Sequence, residues 1–199
     1  MTALCELILE RIRGLDHPLV TIDGPCASGK TTLAGELAET LGASVIHTDD
    51  FVIPHARKTP EQLSLPGGNC DEERLLAEVL RPWKAGGPVR YRRYDFRNDR
   101  LREEEGISPD CRILILEGSY SNMPGIRKLA DVRIFMDIPP EVRERRLQER
   151  ESAESLKRFH ALWIPLENAY FEAFGLPDPE CILWRGPSAG NPGKTEKPE

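Results

Sequence analysis

The amino-acid sequence predicts an α/β protein whose parallel sheet carries helices on both faces. Short apolar runs rich in β-branched residues alternate with segments whose apolar residues recur at helical spacing. Several runs are apolar throughout, which is typical of strands buried on both faces. The chain has 199 residues, which suits one compact domain able to bury a core without disulfides or a structural metal.

The first part of the chain divides into four predicted elements and a loop. These are an amphipathic helix over 4–15, a strand over 18–22, a helix over 30–41 that Gly42 ends, and a strand over 44–47. The segment 52–69 contains several prolines and glycines and no periodic pattern, so we expect a mobile loop there.

The remainder continues the alternation and adds a predicted insert. A helix capped by Asn69 or Asp71 is expected to run to Trp83, and an Arg- and Tyr-rich stretch over 89–108 is expected to form two strands. Further predicted elements are strands over 112–116, 132–136 and 181–184, a helix from Pro140 to about Arg150, and a helical stretch reaching Phe174. We therefore expect one domain over 1–185, with an insert over about 85–108, a lid over about 143–160 and a disordered tail over 186–199.

Composition excludes several classes of protein. The net charge of −6 argues against binding to nucleic acid, which calls for a basic surface. No run of apolar residues is long enough to span a membrane, and the acidic amino-terminal segment does not resemble a secretory signal. The five cysteines are scattered without metal-ligand spacing, which favours the reducing cytoplasm. Whether the chain forms a homo-oligomer stays open.

One motif points directly to nucleotide binding. Gly24-Pro25-Cys26-Ala27-Ser28-Gly29-Lys30-Thr31 matches the phosphate-loop pattern G-x-x-x-x-G-K-[ST] between a predicted strand and a predicted helix. Backbone N–H groups and the helix N-terminus would hold the phosphates of ATP in residues 24–32, ending at Thr32. Lys30 would reach the β- and γ-phosphates, and the Thr31 hydroxyl would ligate Mg²⁺. Cys26 is interpreted as a small filler, although its position at the helix N-terminus could lower the pKa of its thiol.

Carboxylates follow two of the predicted strands. Glu117 ends the run Ile113–Leu116, and Asp49 with Asp50 comes just after the strand over 44–47. Ligands of open α/β sheets bind at the carboxyl ends of the strands. We therefore expect Glu117 to hold the water shell of Mg²⁺, and Asp49 to accept the proton of a hydroxyl that receives the phosphate. The alternatives are a capped turn for Glu117 and a helix cap or solvated turn for Asp49.

Arginines concentrate in the predicted insert, over 81–102, and in the helix over 143–150. Arg146 and Arg150 are four residues apart and share a helix face, which suits a lid over the γ-phosphate. Each group could instead be a solvated charged face paired with nearby glutamates.

Together these motifs resemble those of the uridine kinase-like branch of phosphate-loop kinases. The resemblance rests on GPCASGKTT (24–32), HTDDF (47–51), NCD (69–71), YDF (94–96), ILEGSY (115–120) and the arginine-rich helix over 143–150. The resemblance extends over about residues 18–185. Its most specific part is the combination of D-D-F (49–51) after the second predicted strand with E-G (117–118) after the third.

This resemblance implies a five-stranded parallel sheet with a helical lid, and the use of ATP and Mg²⁺. By matching position, Asp49 would be the general base and Glu117 a magnesium residue. Arg146 and Arg150 would be catalytic lid residues. By the same resemblance, Asp71 would bind the ribose hydroxyls and Tyr94 lies in the insert that helps to form the nucleoside pocket. Asp50 and Arg97 are further candidates for binding the substrate.

The expected function is phosphorylation of a small molecule, in the first place the 5′-hydroxyl of a nucleoside. Nicotinamide riboside, pantothenate, a sugar or a nucleoside monophosphate remain alternative acceptors. A nucleotide-gated regulatory protein that only binds and slowly hydrolyses ATP is the alternative from another class.

Overall fold

A computed structural model describes residues 2–106 and 111–186 of the chain. Within them, five strands form one sheet in the order β2-β5-β1-β6-β7, and every neighbouring pair in this sheet is parallel. A separate antiparallel hairpin, β3-β4, forms the insert. The α/β class, the five-stranded sheet and the two-stranded insert are thus confirmed.

The strands are β1 (Leu19–Asp23), β2 (Ser44–His47), β3 (Arg90–Asp95), β4 (Arg100–Gly106), β5 (Leu114–Glu117), β6 (Val132–Met136) and β7 (Ile182–Trp184). The helices are α1 (Thr2–Arg11), α2 (Lys30–Leu41), α3 (Pro60–Ser64), α4 (Glu72–Leu75), α5 (Arg81–Lys84), α6 (Pro124–Arg127), α7 (Pro140–Arg150), α8 (Ala153–Arg158) and α9 (Ile164–Phe174). Single π-helical turns join α4 to α5 and α8 to α9, and 3₁₀ turns cover Thr48–Phe51 and His55–Arg57.

The sheet separates two hydrophobic cores because side chains alternate along each strand. In β5, Leu114 and Leu116 join one core and Ile115 joins the other. The first core packs the α4–α5 segment and Tyr170 of α9 against the sheet, and the second packs α1 and α2. All of β1, β5 and β6 is buried, as strands covered by helices on both faces require.

Three regions depart from the sequence prediction. The segment 52–69, expected to be irregular throughout, contains a 3₁₀ turn and α3, which Thr59 caps by accepting a hydrogen bond from the Gln62 N–H. Such short elements bury little apolar surface and leave no periodic pattern. The short helix α6 was not anticipated, and the strand predicted over 112–116 lies at Leu114–Glu117. The predicted tail lies, after Gly186, outside the described residues.

The carboxyl ends of the parallel strands meet at one edge of the sheet. There β1 continues into the loop before α2, β2 continues into Thr48–Phe51, and β5 ends at Glu117. The helix α7 follows β6 from this edge. No helix of the described residues is long and apolar enough to cross a lipid bilayer.

Candidate active site

The loop between β1 and α2 has the backbone shape that phosphate binding requires. Gly24 has a φ of +135° and lies so close to β6 that a Cβ would sit 2.6 Å from the Met136 carbonyl oxygen. Gly29, directly before α2, has a φ of +100°. These conformations favour glycine and turn the loop so that its N–H groups face a common centre at the N-terminus of α2.

Two side chains of the loop are arranged around this centre. The Lys30 ammonium donates hydrogen bonds to the carbonyl oxygens of Gly24 at 2.8 Å and Pro25 at 2.9 Å. The Ser28 hydroxyl is buried without a hydrogen-bond partner in the described part of the chain. Because buried polar groups are nearly always paired, this hydroxyl and the curled backbone fit the oxygens of a phosphate chain.

Glu117 joins the end of β5 to α2 and β2. Its carboxylate is buried and accepts hydrogen bonds from the Thr31 hydroxyl at 3.1 Å and the His47 Nδ1–H at 2.5 Å. The hydrogen bond to Glu117 is the largest cause that raises the pKa of His47. A carboxylate and a hydroxyl held side by side provide the hard oxygen ligands that Mg²⁺ prefers.

The residue after Glu117 must be glycine. Gly118 has a φ of +128°, and a Cβ there would lie 2.1 Å from the Thr48 hydroxyl oxygen. That hydroxyl donates a hydrogen bond to the Ser119 carbonyl oxygen at 2.8 Å. The close approach fixes the turn after β5 against the turn that carries Asp49.

Asp49 presents its carboxylate to the largest cavity of the site. The side chain is open to solvent within the cavity. The surrounding protein nevertheless deprives it of bulk hydration, and this desolvation raises the pKa of Asp49. The Lys30 ammonium opposes this rise, whereas the Glu117 carboxylate adds to it. A carboxylate whose pKa is raised is a better proton acceptor once ionised.

The cavity has a volume of about 1010 Å³ and contains most of the predicted nucleotide residues. Residues 26–32 of the loop, Asp49 and Glu117 line it together with Arg146 and Arg150. Gly24 and Pro25, the first two residues of the loop, are not among the residues that line the cavity. At the β7 side of the sheet its walls are Trp184 and Gly186, which the sequence did not single out.

The helix α7 brings both predicted lid arginines to the cavity. The Arg146 guanidinium donates hydrogen bonds to the carbonyl oxygens of Ala27 at 3.1 Å and Ser28 at 2.8 Å. Arg150 donates to Glu151 at 2.7 Å and stands 5.9 Å from the ring centre of Phe159. The guanidinium of Arg146 thus already contacts the phosphate loop.

Glu167 of α9 is a site residue that the sequence motifs described above do not include. Its carboxylate is 4% exposed and accepts hydrogen bonds from the Cys26 N–H at 3.0 Å and the Ser119 hydroxyl at 2.5 Å. Burial and the nearby Glu167 carboxylate raise the pKa of Cys26 to about 12. The expectation that the helix N-terminus lowers this pKa is therefore wrong, because desolvation of the thiol dominates.

The four residues predicted to bind substrate lie outside the cavity lining. Asp71 caps α4 by accepting from the Arg74 N–H at 3.1 Å, and Asp50 lies 3.5 Å from the Arg93 guanidinium. Tyr94 is buried and its hydroxyl donates to Asp99 at 2.7 Å. Arg97 is exposed at the turn of the hairpin.

Other residues form the cavity wall near Asp49. They are Val52, His55, Lys58, Asn69 and Phe96, which we call the acceptor end, with Trp163 across from them. Phe96 belongs to the YDF motif and Asn69 to the NCD motif, whereas His55 and Lys58 belong to a segment in which the sequence shows no periodic pattern.

Comparison with known proteins agrees with this geometry. The family model described as Phosphoribulokinase / Uridine kinase family matches residues 19–155. A curated tRNA dimethylallyltransferase from Hyphomonas neptunium is 44% identical over 54 residues, which are 24% of this chain and 17% of that protein. The chain thus spans about a sixth of the length of the curated relatives that it matches.

Two solved structures extend the similarity over nearly the whole fold. A structure from Silicibacter sp. TM1040, described as a suggested fructose transport system kinase, is 28% identical with a TM-score of 0.75 and covers 92% of this chain and 97% of its own. A possible uridine kinase from Bacillus stearothermophilus is 25% identical with a TM-score of 0.67, covering 86% and 89%. With its phosphate loop and strand-end carboxylates in place, the chain belongs to the phosphoribulokinase/uridine kinase family of P-loop kinases.

Proposed function

We propose that this kinase transfers the γ-phosphate of ATP to a hydroxyl group of a small molecule, with the 5′-hydroxyl of a nucleoside as the first candidate. The observation that carries the proposal is the position of Asp49. Its carboxylate opens into the same cavity as Lys30 and the phosphate loop. A protein that only binds nucleotide has no need of a proton acceptor at this point, which favours an enzyme over a regulatory protein.

The nucleotide would be bound by the loop and by the arginines of α7. The loop N–H groups and the Ser28 hydroxyl would contact the phosphates, and Lys30 would leave the Gly24 and Pro25 carbonyl oxygens to reach the β- and γ-phosphates. Arg146 would add positive charge at the γ-phosphate. Thr31 and Glu117 fit Mg²⁺, which when bound would neutralise charge on the phosphate oxygens.

Asp49 would hold the acceptor hydroxyl and receive its proton. As the hydroxyl oxygen forms a bond to the γ-phosphorus, the bond from phosphorus to the β–γ bridging oxygen breaks and ADP leaves. The proton of the hydroxyl passes to an Asp49 carboxylate oxygen. Positioning and charge stabilisation supply most of the rate in such transfers.

A sugar hydroxyl is the second candidate acceptor, because the carboxylate that the resemblance assigns to a nucleoside already has a partner within the protein. The carboxylate of Asp71, which the resemblance assigns to ribose hydroxyls, is engaged at the start of α4 by the Arg74 N–H. The solved structure from Silicibacter, described as a suggested fructose transport system kinase, is similar over 92% of this chain. Nicotinamide riboside, pantothenate and a nucleoside monophosphate complete the set to be compared.

An ADP-release assay with these acceptors tests the proposal. Asp49→Asn should keep its affinity for ATP and lose about 10²- to 10⁴-fold in kcat, because an amide cannot accept the proton. The matched control is Asp50→Asn, since Asp50 faces Arg93 and not the cavity, and it should keep turnover within a few-fold of wild type. Equal turnover by Asp49→Asn would remove Asp49 from this role. ADP release that no acceptor accelerates would favour the regulatory alternative.

A further inference from the structure

Lys58 is a cation in the cavity wall that the proposed chemistry does not use. It follows the 3₁₀ turn His55–Arg57 and is partly buried. Its ammonium lies 5.7 Å from the ring centre of Trp163, beside the start of α9. In the part of the chain that the structure describes, no carboxylate comes within 4.0 Å of this ammonium.

Asp99, the acid whose charge acts on Lys58, is already occupied by other donors. Asp99 accepts hydrogen bonds from the Tyr94 hydroxyl at 2.7 Å and from the His55 backbone N–H at 2.8 Å. Its charge favours the protonated form of Lys58 from a distance, but burial dominates and lowers the pKa of the Lys58 ammonium. An anion brought next to Lys58 would relieve this loss of hydration.

Lys58 lies on a different segment of the chain from the cations that would bind the nucleotide. Lys30 and Arg146 contact the phosphate loop itself. Lys58 instead belongs to the segment that follows β2 and Asp49, where Val52 bridges to Cys70 and the Ile53 N–H donates to the Asn69 carbonyl oxygen at 3.1 Å. An anion at Lys58 would therefore belong to the acceptor rather than to ATP.

The arginines of the β3-β4 hairpin are not among the residues that line the cavity. Arg92, Arg93 and Arg102 lie within 4.0 Å of Glu78, Asp50 and Asp95 respectively. In contrast, Asn69 lines the acceptor end and leaves its buried side-chain oxygen without a hydrogen-bond partner among the described residues. The acceptor end thus offers the Lys58 ammonium to an anion and the Asn69 amide oxygen to a hydroxyl donor, while the His55 imidazole lies 3.1 Å from the Asp99 carboxylate.

We propose that the acceptor of this kinase carries an anionic group, a carboxylate or a phosphate, which Lys58 binds while Asp49 holds the hydroxyl. The proposal rests on the proposed kinase function and narrows its substrate class. It makes Lys58 the residue that distinguishes anionic acceptors from their neutral counterparts.

Matched acceptors that differ in charge test the proposal by activity. Orotidine is compared with uridine, fructose 6-phosphate with fructose, and pantothenate with pantothenol. In at least one pair the anionic member should have a KM about 10- to 100-fold lower, the range expected of one charge-assisted hydrogen bond. The pair that shows this difference in KM indicates whether the anionic group is a carboxylate or a phosphate. Equal use of both members of every active pair would overturn the proposal.

Variants of Lys58 connect this preference to the residue. Lys58→Gln should abolish the difference within the active pair and leave the KM for ATP unchanged, whereas Lys58→Arg should restore it. Lys157→Gln is the matched control, because Lys157 is exposed on α8 and does not line the cavity. A preference that survives in Lys58→Gln would contradict the assignment.

A binding measurement tests the anion site independently of kinase activity. With Mg²⁺ and a non-hydrolysable ATP analogue bound, acetate and inorganic phosphate are titrated while tryptophan fluorescence is recorded. Wild type should show a saturable change for one of them, carried by Trp163 and therefore lost in Trp163→Phe, and Lys58→Gln should weaken it about 10-fold or more. No saturable change, or equal binding by Lys58→Gln, would overturn the anion site even if kinase activity is found. Saturable binding without any acceptor turnover would instead support the site and contradict the proposed function.

Discussion

Asp23 shows how one buried residue supports the phosphate loop. Its carboxylate has no exposed surface and accepts hydrogen bonds from the Tyr170 hydroxyl at 2.7 Å, the Gly24 N–H at 2.7 Å and the Asn122 N–H at 2.9 Å. Burial nevertheless raises the pKa of Asp23 to about 6. The stability that Asp23 contributes is therefore greatest when it is protonated and falls as the pH rises through about 6.

Tyr170→Phe should destabilise the protein in a pH-dependent manner. The substitution removes a donor to the ionised carboxylate and raises the pKa of Asp23 further. We expect a loss of about 2–3 kcal/mol in the free energy of unfolding at pH 7.5, and a smaller loss at pH 5, where Asp23 is largely protonated in both proteins. Urea denaturation at the two pH values measures the difference.

Tyr94→Phe is the matched control for this prediction. The Tyr94 hydroxyl also donates to a carboxylate, but the hydrogen bond from Tyr94 holds the pKa of Asp99 at about 2. Asp99 therefore stays ionised at both pH values, and the cost of this substitution should not change between them. An equal loss at both pH values in Tyr170→Phe would contradict the role assigned to Asp23.

The elements fall into two groups according to how well the sequence predicts them. The strands of the sheet and helices α2 and α7 have clear apolar patterns or a proline at the first turn. The 3₁₀ turns after β2 and the short helices α3 and α6 lack an apolar pattern, and although α3 and α6 each begin with a proline, they have only five and four residues. Contacts with the rest of the chain hold such short elements in place. The acceptor end is built largely from such segments, which is why the sequence predicted the nucleotide residues better than the substrate residues.

The helix α9 is coupled to the phosphate loop through Glu167. Glu167→Gln removes a negative charge that raises the pKa of Cys26. The Cys26 thiol should therefore react about 10-fold faster or more with iodoacetamide at constant pH, since one pKa unit changes the thiolate fraction tenfold. Mass spectrometry of the Cys26 peptide measures the rate.

Two controls separate this electrostatic effect from a general opening of the fold. Glu172→Gln lies on the same helix at an exposed position and should leave the rate at Cys26 unchanged. Cys70 is buried in the first core and should remain unreactive in every variant. An unchanged Cys26 rate in Glu167→Gln would show that Glu167 does not control the thiol, and faster alkylation of Cys70 would indicate unfolding.

At the scale of the whole molecule, one edge of the sheet collects residues from distant parts of the chain. Local patterns predict Lys30 through the phosphate-loop motif, and Asp49 and Glu117 through their places at strand ends, because parallel strands place their carboxyl ends together. For Asp71 they leave two roles open, a helix cap and a substrate ligand, since a capping residue and a ligand-binding residue have the same sequence signature, and the structure places its carboxylate at the start of α4. Long-range packing decides between the two.

Binding of Mg²⁺ and ATP at this edge should stabilise the entire domain. A ligand present at about 100 times its Kd adds about 2.7 kcal/mol to the free energy of unfolding, which raises Tm by roughly 5–10 °C for a chain of this size. EDTA should remove much of the shift, because Thr31 and Glu117 then contribute no metal contact to the phosphates. Thermal denaturation with and without EDTA measures both contributions.

Thr31→Ala isolates the metal contribution, because it removes the hydroxyl that contacts Glu117 and leaves the backbone of the loop intact. The variant should retain a reduced shift with ATP, and EDTA should change that shift little. Thr40→Ala is the control on the same helix, where the hydroxyl donates only to the Glu36 carbonyl oxygen, and it should respond like wild type. A wild-type shift that EDTA leaves unchanged would contradict the assignment of Thr31 and Glu117 to Mg²⁺, while the loop and Lys30 would still account for the binding of ATP.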